Sequence, residues 1–457
     1  MDILDNFDNL IKSNDYLTEL FEWDEETYNL INSLIGYYTE IYNTTTEPVN
    51  EEDESIDKLS LWHFHNEEAT TISEAFMDKF PEIDIELNII SDMEIDYQAE
   101  VITAFENNDM PDIIALESSS VDRFLNINGL LEDLSQFNDS DEVISSIVPY
   151  VVEVGTDENG IVKALSNQAS AGAIGYKRDI ALKYLGTDDP DIITNMLKPE
   201  NIIDTADKLK SASGGKAKLW ASLEEYYKVY SGSRNQPWVI DGKFNIDSKM
   251  YEFLDIAKEL RQGGHDGGMT QWHQDWSDSI QNDEHMCYAI PTWGVQWIID
   301  AQESDEVRIM ENNSGKGGRW ALATPTPYFE GGTWYGISKN CDNKELAWEF
   351  IKLITTDKEF SRDNSQYNFV SNNDVIEEKK ADNDFVDPIV DQNIYQVYGE
   401  ILNDINGNLT TEYDSMINFA FYDAMNDYIN GTVTKEECIN NFINDVESDL
   451  GNEISFD

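Results

Sequence analysis

The chain is poor in several residue types that carry common chemistries. Its 457 residues include only three cysteines, five histidines and 30 lysines plus arginines. Cys287, Cys341 and Cys438 show no CxxC spacing and no disulfide framework, so buried, inert thiols are expected; sequence separation leaves a single bridge open. No apolar run approaches the roughly 18 residues that a membrane-spanning helix needs. The opening MDILDNFDNL is acidic and does not read as a signal peptide. GxGxxG, GxxxxGK[ST] and GxSxG are all absent, so nucleotide-cradling loops and a nucleophile elbow have no residue support. The histidines show no HExxH. Only His63 and His65, in WHFHNEE, share a strand face in a way that suits zinc, and a pocket-lining role for His65 or Asn66 is the preferred reading. DINGNLTTE (404–412) resembles a calcium loop, but Gly407 falls at the fourth position and Ser415 stands at the twelfth, so no metal and no cofactor are expected.

Acid is what the chain has in excess. Ninety-one aspartates and glutamates give a formal net charge of −61. Such a surface repels phosphate backbones and anionic lipid headgroups, which argues against a nucleic-acid partner. The apolar fraction of 40% and aromatic fraction of 11% are ample for a folded core, so charge alone does not imply disorder. The length predicts two or three domains.

Residues 1–56 read as a helical N-terminal extension ending in the polar linker NTTTEPVNEEDES. From Lys58 the pattern changes. KLSLWHF (58–64), IDIELNII (83–90) and DIIAL (112–116) read as strands, separated by helical spacing over 67–79 and 93–107. Strand, helix, strand, helix, strand is the α/β signature. GLLEDLSQF (129–137) reads as a strand edge or turn, and VGTDENGIVKAL (154–165) as a hairpin turning at Glu158-Asn159-Gly160. Helical segments dominate from Ile180 to Gln262, GGHDGG (263–268) is a loop, and MCYAIPTWG (286–294) and ALATPTPYF (321–329) are extended. GGTWYGISKNCDNKELAWEFIKLITT (331–356) combines a glycine hinge, an aromatic strand and a helix capped by Asp342 or Asn343. Its glycines suit a close backbone approach, and its Trp334 looks exposed. The remainder is mostly helical.

Tryptophans carry the strongest chemical signal. Trp272, Trp276, Trp293 and Trp334 stand among Gly, Thr, Gln and Asp, poor surroundings for an indole whose N–H needs a partner. Flat apolar rings beside amides and carboxylates suit sugar rings. Trp62 and Trp348 lie inside elements and read as core. Glu117 and Ser118 follow the DIIAL strand, at the end of an open sheet where ligands collect.

The ordered set KLSLWHFHNE, MPDIIALESS, ALSNQASAGAIGYKRDIALKYLG, CYAIPTWG, the glycine-hinge segment and FVSNNDVIEE resembles the extracellular solute-binding proteins of carbohydrate ABC transporters, the maltodextrin-binding type. Val370 replaces the family's proline in the last of these. The resemblance runs from Lys58 to near the C-terminus. It implies an α/β, two-lobed fold of the type II periplasmic-binding-protein kind, with hinge crossings. Lobe 1 would comprise 57–165 and 298–354, and lobe 2 would comprise 166–297 and 355–457. It further implies a monomeric, non-enzymatic protein that binds an oligosaccharide in the cleft, closes about its hinge and delivers the sugar to ABC permease subunits. Trp272, Trp276, Trp293 and Trp334 would stack on sugar, with His65, Asn66, Glu117, Ser118, Asn167, Gln168, Tyr230 and Arg234 as polar contacts. The family's signal peptide and lipid-anchor cysteine are missing, so Met1 would not be the natural start, and the full-length protein would be an extracytoplasmic, cell-surface lipoprotein. Two rival classes stay open: a glycoside hydrolase or lyase using a carboxylate pair, and a binding protein for peptides or polyamines.

Overall fold

The computed structural model describes residues 57–93, 95–301 and 318–456. The expected N-terminal helical extension lies outside the described residues. Every described element lies in the unit 57–457.

The expected strand–helix alternation opens this unit. Strands β1 (Asp57–His63), β2 (Ile83–Ile89) and β3 (Ile113–Glu117) alternate with helices α1 (Asn66–Lys79) and α2 (Asp96–Asn107). β1 lies between β2 and β3 and runs parallel to both. β2 is the sheet edge, and its first residues alternate buried and exposed. The first four residues of interior β3 are all buried, as a strand covered on both faces requires. The DENG turn forms as read: Thr156 pairs with Val162, and Gly160 has φ +77°. It leads to the short strand β4 (Ala164–Leu165).

A second sheet follows the first crossing. It comprises β5 (Gly172–Lys177), β6 (Lys218–Trp220), β7 (His285–Pro291) and β8 (Trp320–Ala323), in the order β8-β5-β7-β6. The chain then returns. β9 (Thr333–Ile337) inserts antiparallel between β3 and β4, completing the first sheet as β2-β1-β3-β9-β4. The two sheets mark the two lobes; one buried cluster runs from the first sheet onto one face of the second, through Tyr288, Ile290, Trp320 and Leu322, and another covers the second sheet's other face through Ile174, Tyr176, Cys287 and Ala321.

Three details differ from the sequence reading. Stretch 298–354, expected wholly in the first lobe, is divided: β8 pairs with β5 in the second sheet, and the return comes only at β9. Stretch 355–457, expected in the second lobe, is divided too. Asn372 pairs with Ile147, ahead of β4, and Ser371 Oγ donates to Ser166 O at 2.6 Å in the first crossing, whereas Tyr398 Oη donates to Ile290 O of β7 at 3.0 Å. Helices α10 (Asp414–Ile429) and α11 (Lys435–Leu450) pack in the second cluster. β6 lies within a segment read as helical; three residues are too few to show a period of two.

Helix α7 (Lys344–Thr356) forms for the reasons its sequence suggests. Asn343 caps it, its side chain accepting from Leu346 N at 3.2 Å. Ala347, Phe350, Ile351 and Ile354 are buried along one face, at about 1.5–3 kcal/mol for each large side chain. All three cysteines are buried free thiols.

Candidate functional site

The connection from β8 back to β9 positions the site. Gly331 and Gly332 have φ +78° and +112°, a region that disfavours residues with a Cβ. A Cβ at Gly331 would lie 2.8 Å from Trp293 Nε1. The expected close approach is therefore real, and its partner is Trp293, whose Nε1 donates to Glu330 O at 2.8 Å. Trp272 stacks on Trp293 with ring centroids 6.1 Å apart and planes 18° from parallel. Trp272 is 53% exposed and holds φ +69°, uncommon for a bulky residue and of the kind that clusters at functional sites. Trp272 and Trp293 thus form an open aromatic platform.

Beside that platform is a cavity of about 290 Å³, lined by Ser118 and Ser119 after β3, by Lys228, Ser231 and Arg234, by Pro327–Gly331, and by segments between Ile405 and Asn418. Lys228 and Ser231, three residues apart, lie on helix α4 (Leu223–Ser231), whose Tyr226, Val229 and Tyr230 face the core. Lys228 Nζ meets Glu330 Oε1 at 2.7 Å. Burial pulls the Lys228 ammonium down, but the Glu330 carboxylate, together with Glu224 and Glu225, holds it above its ordinary value. Arg234 Nη2 reaches Asp414 Oδ2 at 3.3 Å. Ser119 and Ser415 also line a neighbouring cavity of about 650 Å³ that includes Ile95, Arg123, Glu412, Tyr413 and Met416. Close by, Asp122 carries an unpartnered buried Oδ2. Burial, then the charges of Asp414 and Glu412, push its carboxyl up to about 8.

The candidates on the first lobe are engaged by protein. His65 caps α1, its Nδ1 accepting from Glu68 N at 3.4 Å, and Asn66 is the exposed first residue of that helix. Glu117 accepts from Ser118 Oγ at 2.6 Å and from Ser119 N at 2.7 Å, which fixes the turn after β3. Gln168 donates to Glu68 Oε1 at 2.6 Å. Glu68 anchors a closed network. His63, held neutral because burial and then His65 lower its pKa to about 3, accepts from His65 N through Nδ1. Its Nε2–H therefore donates to Tyr335 Oη at 3.1 Å, and Tyr335 donates to Glu68 Oε1 at 2.9 Å. Burial raises the Glu68 carboxyl against these donors. Asn167 is buried in the crossing, with Oδ1 unpartnered.

Three expected contacts require correction. Trp334 is 1% exposed and donates to Val151 O at 2.8 Å, so it is a core residue of the first lobe. Trp276 is fully buried and donates to Glu225 Oε2 at 2.9 Å. Tyr230 is buried beside Tyr226 and Phe253, its hydroxyl on Glu252 at 3.3 Å. Each polar handle finds its partner within the protein, which removes the reason for placing it in a cleft. Ser118 and Arg234 do line the cavity, and Trp272 and Trp293 stand beside it. Sequence reading missed Lys228, Glu330 and Asp414; the only local signal was Glu330 preceding the glycine pair. Among the described residues, no group of three His, Cys, Asp or Glu is placed to hold a metal, and no helix is long and apolar enough to cross a membrane.

Two α/β lobes joined by crossing segments, with a polar cavity and an aromatic platform beside the crossings, define a two-lobed binding protein. A family model described as bacterial extracellular solute-binding protein matches residues 71–385, and the chain belongs to that family. Its members act outside the cytoplasm as binding proteins. Solved structures share the fold. An extracellular solute-binding protein of family 1 aligns at TM-score 0.72 and 16% identity, covering 86% of this chain and 99% of the other. The sugar-binding protein MalE from Xanthomonas citri aligns at 0.69 and 13% identity, covering 86% and 98%. The galacto-N-biose/lacto-N-biose I-binding protein from Bifidobacterium longum aligns at 0.67 and 13% identity, covering 89% and 100%.

Proposed function

We propose that this protein binds an oligosaccharide in the interlobe cleft outside the cytoplasm and delivers it to an ABC permease, held at the cell surface by a lipid anchor in its full-length form. The observation that carries the reading is the half-exposed Trp272 stacked on Trp293 beside a cavity lined by hydroxyl, amide and charged groups. Indole faces take the C–H face of a sugar ring, while serine, arginine and carboxylate groups take its hydroxyls. Trp272 and Trp293 are the stacking residues, with Ser118 and Arg234 among the polar contacts. The sugar-binding relatives of the same fold agree with this reading. The chain acts as a monomer, and the lobes move about the crossings near Gln168 and Gly331.

Calorimetry and product analysis with a panel of oligosaccharides, peptides and polyamines test the proposal together. Heat of binding with an unchanged glycan is expected. Released sugar would favour a hydrolase or lyase, and binding of only peptides or polyamines would reject the oligosaccharide.

A further inference from the structure

We propose that Arg234 and Glu330 form a charge-compensated inner subsite that reads the hydroxyls of an uncharged ring, so that the cleft selects neutral glycans over anionic and amine-bearing ones. The inference rests on the oligosaccharide reading and narrows it.

The Arg234 side chain is only 6% exposed. Its Nε donates to Ser231 O at 3.1 Å, and its Nη2 to Leu409 O at 3.4 Å and Asp414 Oδ2 at 3.3 Å. Nη1 has no partner. Glu330 uses Oε1 for Lys228, while its buried Oε2 has none. Both residues line the same cavity. A buried donor and a buried acceptor left without partners, on two residues that line one chamber, are costly unless a ligand group completes them.

Charge decides which ligand. Within the cavity Lys228 is matched by Glu330 and Arg234 by Asp414, so its two cations and two anions cancel in a protein of net charge −61. A ligand carboxylate or sulfate would find Arg234 already neutralised and Glu330 nearby. An ammonium would find both carboxylates already matched by cations. Either would surrender its hydration without an uncompensated partner. A hydroxyl both donates and accepts, so a ring bearing several can bond Glu330 Oε2 and Arg234 Nη1 without adding charge. Ser119 and Ser415 also line the 650 Å³ cavity, so a second space lies next to the chamber for further sugar units.

The test is calorimetry on the full chain with three matched oligosaccharides: a neutral one, the same chain ending in a uronic acid, and the same chain carrying one free amino sugar. The native protein is expected to bind the neutral chain at least about tenfold tighter than either charged one, the scale of a mismatched polar site. Glu330→Gln should weaken the neutral chain about tenfold and shrink the uronic-acid penalty, because a carboxylate leaves the cavity and Lys228 loses its ion-pair partner there. Arg234→Lys should weaken the neutral chain similarly without favouring the uronic acid. Melting temperatures verify folding, and Glu330→Gln suffices if Arg234→Lys fails to fold. Equal affinity for a charged chain in the native protein overturns the subsite. So does neutral binding with an unchanged uronic-acid ratio in Glu330→Gln; in both cases the oligosaccharide reading survives. Binding of no glycan at all overturns both.

Discussion

On the first-lobe side of the cleft His63, Glu68, Glu117 and Tyr335 bond to neighbouring protein groups, while on the second-lobe side and along the returning segment Arg234 and Glu330 each keep an atom without a partner. Glu68 takes hydrogen bonds from Gln168 and Tyr335, Tyr335 takes one from His63, and Glu117 is closed over Ser118 and Ser119. By contrast, Arg234 Nη1 and Glu330 Oε2 are buried without partners, and Trp272 is half exposed. The contrast separates support from recognition. Glu68 and Glu117, filled by their own protein, hold the cleft in shape, whereas Arg234 and Glu330, which line the cavity and each keep a buried valence, are positioned to meet something else.

The largest expected effect falls on the support side. Trp334→Ala empties the core behind β9 and should lower unfolding stability by about 3–5 kcal/mol in urea denaturation. A loss under about 1 kcal/mol would place Trp334 with the recognition residues instead. Next comes Trp272→Ala, which should weaken glycan binding by about 2 kcal/mol in calorimetry while leaving stability nearly unchanged. The reverse pattern would break the comparison outright.

A pH series sharpens it further. Asp122 has a raised folded pKa, so the folded protein keeps this proton to higher pH than the unfolded chain does. Its contribution to stability is therefore full below the ordinary carboxylate range and falls as pH rises towards about 8. Denaturation midpoints of Asp122→Asn relative to the native protein should show a gain that grows between pH 4 and pH 8; a constant difference would show that Asp122 titrates normally. The smallest effect belongs to His65→Ala, which removes a helix cap. A loss of about 0.5–1 kcal/mol of stability with no change in affinity is expected, and a binding defect would return His65 to the site.

The parts legible in sequence were those with local causes. β1, α1, β2, α2 and β3 follow from periodicity, and the cap at Asn343 from its position before an apolar face. Which tryptophans face solvent was not legible. Trp293, just past β7, and Trp334, inside β9, both stand within two residues of glycine, but Trp334 is buried with its N–H on a carbonyl far upstream, at Val151, and Trp293 is tied to Glu330 across the crossing. Both partners are distant in sequence, and no local pattern encodes them. Tyr230 and Arg234 are four residues apart, yet one is in the core and the other on the cavity, because α4 ends between them.

The late insertion of β9 sets a condition on how the chain is made. Its place beside β3 cannot be filled until residue 333 has emerged, after all four strands of the second sheet. Until then the nascent chain carries an apolar strand with one bare edge, the kind of surface that pairs with neighbours or with itself. The same connectivity that lets the crossings share one cleft therefore makes β9 the segment whose arrival closes the fold.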